Sequence, residues 1–279
     1  MPMKSDFRTL AITQEDGVVQ VILNRPEARN AISHRMQAEI DIALDEAEID
    51  PEVKAVVLRG EGMIFSAGHD LKEQAAGQSF PALTFPHASP SISPRLPRAW
   101  YFRKPLIGAV HGYVGPYAIA LVACCDFNIA AQHTRFSCEV FRSSYPDVGW
   151  LPLYVQLPMR VIEKLWLMGG WMDAEQALQF QFVQRVLPPE DVTAEALRWA
   201  HQAAQIPTES FAHSKEKIRR SVELLGLSAL PSVLDRFGPP PERQPESGPA
   251  QFGDVLAEQG LREAVRRRDE KFDPDISRV

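Results

Sequence analysis

Short runs of β-branched residues alternate with segments of helical spacing, and this alternation constrains the fold more than any other feature. Two strands are predicted over residues 10–13 and 18–23, joined by a turn at residues 15–17. A helix is predicted from Ser33, a good N-cap residue, up to the proline at position 51, and a strand over residues 53–60. This order predicts an α/β architecture with a parallel sheet.

The same order returns in the middle of the chain. Residues 104–110 are predicted as a strand, residues 117–125 as a buried helix and residues 127–131 as a strand. The helix contains Cys124 and Cys125, which act there as small apolar residues.

The second half of the chain changes character. Beyond about residue 190 the spacing is helical, and we predict helices over residues 194–205, 211–225 and 256–272. We therefore divide the chain into an α/β core, residues 1–194, and a helical, oligomerising region, residues 195–279.

Two stretches are rich in proline. Residues 77–97 also contain many serines, which indicates a functional or mobile loop, and we predict a mobile cover over a substrate pocket. Residues 238–250 are predicted to be an extended linker that cannot be helical, because proline lacks an N–H donor.

Composition excludes several classes of protein. The 279 residues are 45% hydrophobic and 24% charged with a net charge of −6, which is typical of a globular protein and argues against nucleic-acid binding. No apolar run reaches the ~20 residues of a membrane span, and the first residues lack a secretory signal. Three cysteines make no disulfide framework. We expect a soluble, cytoplasmic protein.

Four segments together resemble the crotonase (enoyl-CoA hydratase/isomerase) superfamily. Residues 24–31 resemble its Asn-Arg-Pro block, residues 65–71 its first oxyanion turn and residues 104–126 its second block, while residues 168–177 resemble its helix entry. The resemblance implies a crotonase (ClpP-like) α/β superhelix of repeated ββα units with a helical C-terminal region. It also implies a homotrimer or a dimer of trimers, and a place in fatty acid metabolism.

The resemblance further implies an oxyanion hole of two backbone N–H groups that stabilises the enolate of an acyl-CoA thioester. The donors would be the amides of His69 and Tyr117. The family's Gly triplet is replaced by Pro116-Tyr117-Ala118. Proline is favoured at the first position of a helix, so the amide of Tyr117 would still point out of the helix start. We expect the side chain of Tyr117 to narrow the pocket.

The catalytic carboxylates depart from the pattern. The resemblance implies two catalytic glutamates, one on the helix after the Gly triplet and one on a later turn. The first of these positions falls on Ala120, and the second falls on Val140, which is adjacent to Glu139. A small gap would instead bring Tyr145 or Asp147 into the site, and we favour Glu139 over Asp147. The side chain of His69 either positions water or a carboxylate, or takes no part in the reaction. In the second case only the backbone N–H of His69 acts.

Two sets of residues are implied to contact the CoA moiety. Ala28 and Arg29 would lie along the nucleotide, with Arg29 pairing with a phosphate. The residues near adenine and pantetheine would be Ala67, Gly68, Asp70, Leu71 and Lys72. No phosphate-binding loop, dinucleotide fingerprint or metal-ligand spacing occurs, so we expect no metal and no cofactor apart from the CoA of the substrate.

These features predict an enoyl-CoA hydratase/isomerase-like lyase. Two alternatives stay open. One is an acyl-CoA decarboxylase of the methylmalonyl-CoA type, because the Ser-Ala-Gly-His-Asp turn at residues 66–70 resembles the corresponding turn of those enzymes. The other is a catalytically silent paralogue that binds acyl-CoA.

Overall fold

The structure, a computed structural model, describes residues 6–75, 98–142, 151–224 and 248–279. The strands in these ranges are β1 (Leu10–Glu15), β2 (Val18–Leu23), β3 (Ala55–Gly60), β4 (Leu106–Val110), β5 (Tyr113–Val114), β6 (Phe127–Ala131), β7 (Arg135–Ser137), β8 (Trp171–Asp173) and β9 (Arg185–Leu187).

The helices in the same ranges are α1 (His34–Ile49), α2 (Leu71–Ala75), α3 (Arg98–Tyr101), α4 (Ala118–Cys124), α5 (Leu151–Gln156), α6 (Met159–Leu167), α7 (Ala174–Gln179), α8 (Pro189–Ala204), α9 (Thr208–Val222), α10 (Gly248–Gln259), α11 (Leu261–Asp269) and α12 (Pro274–Ser277). Two 3-10 turns, Pro26–Ala28 and Glu139–Arg142, lie beside the strands.

A six-stranded sheet forms the centre, in the order β1-β2-β3-β4-β6-β9. The hairpin β1-β2 is antiparallel, and β2, β3, β4, β6 and β9 pair in parallel. A second sheet, β5-β7-β8, lies at the end of the first, with β5 and β7 parallel and β8 antiparallel to β7. The predicted parallel α/β architecture is therefore confirmed.

Helix α1 forms where its spacing predicted it. The Ser33 side chain accepts a hydrogen bond from the amide of Met36 (3.2 Å), and the inward face buries Ile40, Ala43 and Leu44. At the other end the ammonium group of Lys104 donates to the carbonyls of Ala47 and Asp50, each at 2.6 Å. Lys104 was predicted as part of a strand, but β4 begins at Leu106, since Pro105 has no N–H to donate to a neighbouring strand.

Both faces of the central sheet are covered. Helix α8 packs Val192, Ala196 and Ala200 on one face, and α1 and α4 bury apolar residues on the other. The predicted domain boundary at 194/195 falls inside α8, so residues on both sides of it pack on the same sheet. The division into domains stays a prediction.

Asp126, the last residue of the second motif, fixes α9 to the core. Its carboxylate accepts hydrogen bonds from the amide of Leu106 (2.9 Å) and from Nζ of Lys215 (2.7 Å). The guanidinium of Arg219 lies 3.7 Å from the centroid of the Trp100 ring. Since Lys215 and Asp126 are both largely buried, this end of the motif supports the fold.

The C-terminal region differs from the prediction in two places. Helix α10 begins at Gly248, so residues 248–250 are helical, although residues 238–250 were predicted to be extended. The reason is that Pro249 lies in the first helical turn, where a missing N–H costs nothing. The helix predicted over residues 256–272 is broken at Gly260, whose φ is 84°. Residues 238–247 and the loop at 77–97 lie outside the described residues.

The last residues of the chain dock onto the second sheet. The amide of Val279 donates to the carbonyl of Trp171 in β8 (2.9 Å). Arg142, whose side chain is 3% exposed, pairs with Asp269 (3.1 Å) and donates to the hydroxyl of Ser277 (2.7 Å). The end of the helical region therefore packs on its own core.

Candidate active site

Two turns meet at the carboxyl ends of β3 and β5. The amide of Gly115 donates to the carbonyl of Ser66 (2.8 Å), and the amide of Ser66 donates to the carbonyl of Tyr113 (3.2 Å). On the other side, the amide of Ile32 donates to the carbonyl of Gly68 (2.7 Å). Backbone hydrogen bonds thus fix the 66–68 turn between the start of α1 and the start of α4.

Glycine is required at both points of contact. A Cβ atom on Gly115 would lie 2.0 Å from the carbonyl oxygen of Ala67. A Cβ atom on Gly68, whose φ is 86°, would lie 2.9 Å from the nitrogen of Pro116. The close approach of these backbones places His69 and Tyr117, the next residue in each turn, at the same junction.

Helix α4 begins at Ala118, two residues after Pro116, the predicted first position. The amide of Ile119 donates to the carbonyl of Gly115 (3.0 Å), so the first helical turn already includes Pro116 and Tyr117. The regular helix begins one residue after Tyr117, and every residue from Ala118 to Cys124 is buried. The Tyr117 side chain packs on the core and against His69, with ring centroids 4.7 Å apart.

Both rings at this junction are electrically neutral at pH 7. Burial, with a smaller contribution from the neighbouring His34, lowers the pKa of His69 to about 4. Burial raises the pKa of Tyr117 well above its ordinary value, and the Asp41 and Cys124 side chains add to this. Since hydrogen bonds to developing charge are stronger in a medium of low polarity, this surrounding suits an oxyanion hole.

The Asn30 side chain forms hydrogen bonds with the backbone that precedes the 66–68 turn, a role that the sequence did not reveal. Its Nδ2 donates to the carbonyls of Glu61 (2.8 Å), Ile64 (3.0 Å) and Phe65 (3.2 Å). Its own carbonyl accepts from the hydroxyl of Ser66 (2.7 Å). Asn30 is fully buried with a φ of 48°, a conformation that Asn adopts more readily than most residues.

The residues implied to bind CoA fall into two groups. Ala28, Arg29 and Ala67 lie together, since the amide of Ala67 donates to the carbonyl of Arg29 (2.9 Å), and the Arg29 side chain is exposed. The contact of Arg29 with a phosphate of CoA stays a prediction.

The second group lies at the start of α2. Asp70 is mostly buried, and its carboxylate accepts from Nη1 of Arg25 (3.2 Å) and from the amide of Lys72 (3.2 Å). Leu71 is partly buried and Lys72 is exposed. The Asp70 side chain is therefore engaged in holding Arg25, and its amide donates to the carbonyl of Ile32 (3.1 Å), which leaves the exposed Lys72 ammonium for a ligand.

Glu139 has three polar neighbours. Its carboxylate accepts from Arg135 (2.6 Å) and from the hydroxyl of Ser137 (2.8 Å), and Nη1 of Arg142 lies at 3.6 Å. A carboxylate held in this way anchors the 3-10 turn, so we favour an anchoring role over the acid–base role predicted for it. Asp147 and Tyr145, the other residues predicted there, lie outside the described residues.

An inward-facing carboxyl group that the sequence did not single out is Asp41, on α1. Nε2 of Gln37 donates to it (3.0 Å), and burial raises its pKa to about 7. Its charge is one of the causes that raise the pKa of Tyr117. The available signal was a Gln and an Asp four residues apart on the apolar face of a predicted helix.

Two further properties concern metals and membranes. Among the described residues, no group of His, Cys, Asp and Glu side chains is arranged to hold a metal ion. In the same part of the chain, none of the helices has the length and apolar character needed to cross a membrane.

The chain is similar to proteins of one family. Residues 13–239 match the family model described as enoyl-CoA hydratase/isomerase. The chain is 29% identical to 2,3-dehydroadipyl-CoA hydratase of Escherichia coli, with 77% of this chain and 83% of that protein covered. It is 32% identical to carnitinyl-CoA dehydratase of Salmonella arizonae, with 77% and 82% covered.

The fold is similar as well. The crystal structure of an enoyl-CoA hydratase/isomerase from Xanthobacter autotrophicus Py2 superimposes with a TM-score of 0.81 at 29% sequence identity. The match covers 96% of this chain and all of that chain, including the helical C-terminal region. The expected crotonase fold is thereby confirmed.

Proposed function

The chain belongs to the enoyl-CoA hydratase/isomerase family of acyl-CoA-processing enzymes, and from this we propose that it stabilises a thioester enolate between the amides of His69 and Tyr117. The observation that carries the proposal is the contact between Gly68 and the Gly115-Pro116 backbone, which brings the two following residues to one point. The CoA moiety enters as part of the substrate, and no separate cofactor takes part.

The proposed hole acts on the charge that moves onto the thioester oxygen as the enolate forms. Each preorganised N–H donor lowers the barrier by about 3 kcal/mol in a site that excludes water. The neutral rings of His69 and Tyr117 exclude water from one side of this point. Neither ring then carries a charge beside the oxygen.

The reaction that we propose first is that of a hydratase/isomerase-like lyase. Such a reaction needs a group within hydrogen-bond reach of the proton that is transferred. Ala120 offers none, and Glu139 is engaged by Arg135 and Ser137. Asp147 stays a predicted acid or base.

A decarboxylase is the second candidate, and one observation favours it. Loss of CO₂ from a malonyl-type thioester generates the enolate without removal of a proton, so a carboxylate at Ala120 is not needed. The enolate is then protonated at the α-carbon. We further propose that the enzyme assembles as a homotrimer or a dimer of trimers.

One set of assays tests these proposals. Purified protein is given crotonyl-CoA and, separately, methylmalonyl-CoA, while loss of enoyl absorbance and release of CO₂ are followed and binding is measured by calorimetry. Hydration of crotonyl-CoA supports the lyase, and CO₂ release supports the decarboxylase. Binding without turnover of either thioester identifies a silent paralogue, and absence of binding overturns the proposed function. Light scattering tests the assembly.

Glu139→Gln distinguishes anchoring from proton transfer in the same assays. We expect turnover to change less than about tenfold while thermal stability falls, because the substitution weakens an ion pair and keeps the side chain's shape. A loss of turnover beyond about a hundredfold, with unchanged stability, would restore the acid–base role of Glu139.

A further inference from the structure

The amide, the carbonyl and the hydroxyl of Ser66 are all engaged, and they connect three segments of the proposed site. The Ser66 amide donates to the carbonyl of Tyr113 (3.2 Å), and the Ser66 carbonyl accepts from the amide of Gly115 (2.8 Å). The hydroxyl donates to the carbonyl of Asn30 (2.7 Å) and accepts from the amide of Gly68 (3.0 Å). Ser66 therefore joins its own turn to the second motif and to the backbone before α1.

The hydroxyl of Ser66 fixes the conformation of the turn. A serine side chain that accepts from the amide two residues later closes a tight local turn. Here that amide belongs to Gly68, whose φ is 86°. The hydrogen bond stabilises this left-handed conformation. It also occupies the N–H of Gly68, the residue directly before the proposed donor His69.

The next peptide group, between Gly68 and His69, is fixed at its carbonyl end. The amide of Ile32 donates to the carbonyl of Gly68 (2.7 Å). The C=O and the N–H of a trans peptide group point in opposite directions, so the amide of His69 points away from Ile32. Two hydrogen bonds thus set the direction of the proposed donor, one at the Ser66 hydroxyl and one at the Ile32 amide.

We propose that Ser66 is a positioning residue of the oxyanion hole, whose hydroxyl makes the amide of His69, and not that of Gly68, the donor to the thioester oxygen. This inference rests on the proposed function, because it presupposes that an acyl-CoA carbonyl binds at His69 and Tyr117. Ser66 acts through the backbone and does not touch the substrate, since it is 0% exposed and its hydroxyl is bonded to Asn30 and Gly68.

Loss of the hydroxyl should affect the reaction more than the binding of substrate. In Ser66→Ala the amide of Gly68 loses its acceptor, so the peptide group before His69 is held at one end only. A donor directed at the oxyanion acts mainly in the transition state. Its misdirection therefore lowers kcat and leaves KM nearly unchanged.

Infrared spectroscopy of bound butyryl-CoA, isotopically labelled at the thioester carbonyl, tests the inference on the full-length protein. Hydrogen bonds to the carbonyl oxygen weaken the C=O bond, so binding to the wild-type protein should lower its stretching frequency. We expect Ser66→Ala to keep less than about half of this frequency shift, because one of the two donors is misdirected. The affinity for butyryl-CoA, measured by calorimetry, should change less than about threefold.

Turnover supplies a second readout. The substrate is whichever of crotonyl-CoA and methylmalonyl-CoA the wild-type protein converts. We expect kcat of Ser66→Ala to fall about tenfold to a hundredfold, less than the loss of a whole donor would cost, while KM changes less than about threefold.

Thr134→Val is the matched control. Thr134 is also 0% exposed, and its hydroxyl donates to the carbonyl of Ala131 at the same distance of 2.7 Å, in the turn between β6 and β7. This variant should lose thermal stability and keep the frequency shift. An unchanged shift in Ser66→Ala overturns the inference, and so does an equal reduction in Thr134→Val. If the wild-type protein binds butyryl-CoA without a shift, or does not bind it, the proposed function is overturned as well, which separates the two failures.

Discussion

The rings of His69 and Tyr117 lie against each other with centroids 4.7 Å apart and planes inclined by 35°. Each residue directly follows one of the two turns that meet at Gly68 and Pro116. The same two residues therefore supply the proposed backbone donors and the neutral wall beside them.

Tyr117→Gly is expected to separate these two roles. The variant keeps the backbone N–H and removes the ring, so turnover of a short acyl-CoA should persist while longer acyl chains are accepted. The measurement is kcat/KM over a series of acyl chain lengths. Tyr117→Phe is the control, because it retains the ring and should retain the chain-length profile. An unchanged profile in the glycine variant would contradict a wall formed by Tyr117.

Gly68→Ala should damage the site through steric contact. Its Cβ would lie 2.9 Å from the nitrogen of Pro116 at a φ of 86°, whereas Gly260 has a φ of 84° with nothing within 4 Å. Both alanine variants carry the same backbone strain of about 1 kcal/mol, so only the contact with Pro116 separates them. We expect Gly68→Ala to lose at least about a hundredfold in turnover, and Gly260→Ala to lose none. Equal activities would argue against a hole at this junction.

Arg142→Met tests the docking of the C-terminal region. Arg142 is 3% exposed and pairs with Asp269, whereas Arg160 is 91% exposed and pairs with Glu163. Removing the buried partner should cost about 3 kcal/mol of unfolding free energy, and Arg160→Met less than about 1 kcal/mol. Urea denaturation measures both. Faster proteolysis near residue 269 in Arg142→Met alone is the accompanying expectation.

Asp41 should make stability fall as pH rises. Burial raises its folded-state pKa from 3.8 to about 7, despite the opposing effects of Gln37 and Arg98 and with a small contribution from Asp45. Between these values the folded protein holds a proton on Asp41 that the unfolded chain has lost, so the contribution of Asp41 to the free energy of unfolding decreases from pH 4 to pH 7. For a partly exposed carboxyl group we expect a contribution of about 1–3 kcal/mol.

Asp41→Asn removes this titration. Its unfolding free energy should therefore vary less between pH 4 and pH 8 than that of the wild-type protein, as measured by urea denaturation at each pH. Asp254→Asn, an exposed position on α10, is the control. Its unfolding free energy should depend on pH as that of the wild-type protein does. If the unfolding free energy of Asp41→Asn depended on pH as that of the wild-type protein does, the Asp41 carboxyl group would be ionised in the folded protein at neutral pH.

Local patterns predicted the sheet and α1 well. The runs at residues 10–13, 18–23 and 127–131 predicted β1, β2 and β6, and the apolar spacing after Ser33 predicted α1. These predictions succeeded because each element buries one periodic face in the core. Helix α10 was missed because Pro249 was taken as a helix breaker, although its place in the first turn makes it harmless.

The site was only partly predictable, for a different reason. The turns at Gly68 and Gly115 belong to contiguous motifs, and the structure brings them together as the resemblance implied. Asn30 and Arg142 act through partners that are distant in sequence, so no local pattern could reveal their roles. The predictions for Asp147 and for the 77–97 loop stay untested.

The hydrogen bonds of Asn30 have a consequence for protein engineering. One amide group holds the carbonyls of Glu61, Ile64 and Phe65, and no other natural side chain of that size offers the same donors with the same tolerance of a positive φ. A mutagenesis library aimed at new acyl specificity should therefore keep Asn30 constant. Selection for altered substrates then proceeds on an unchanged 66–68 turn, on which the proposed oxyanion hole depends.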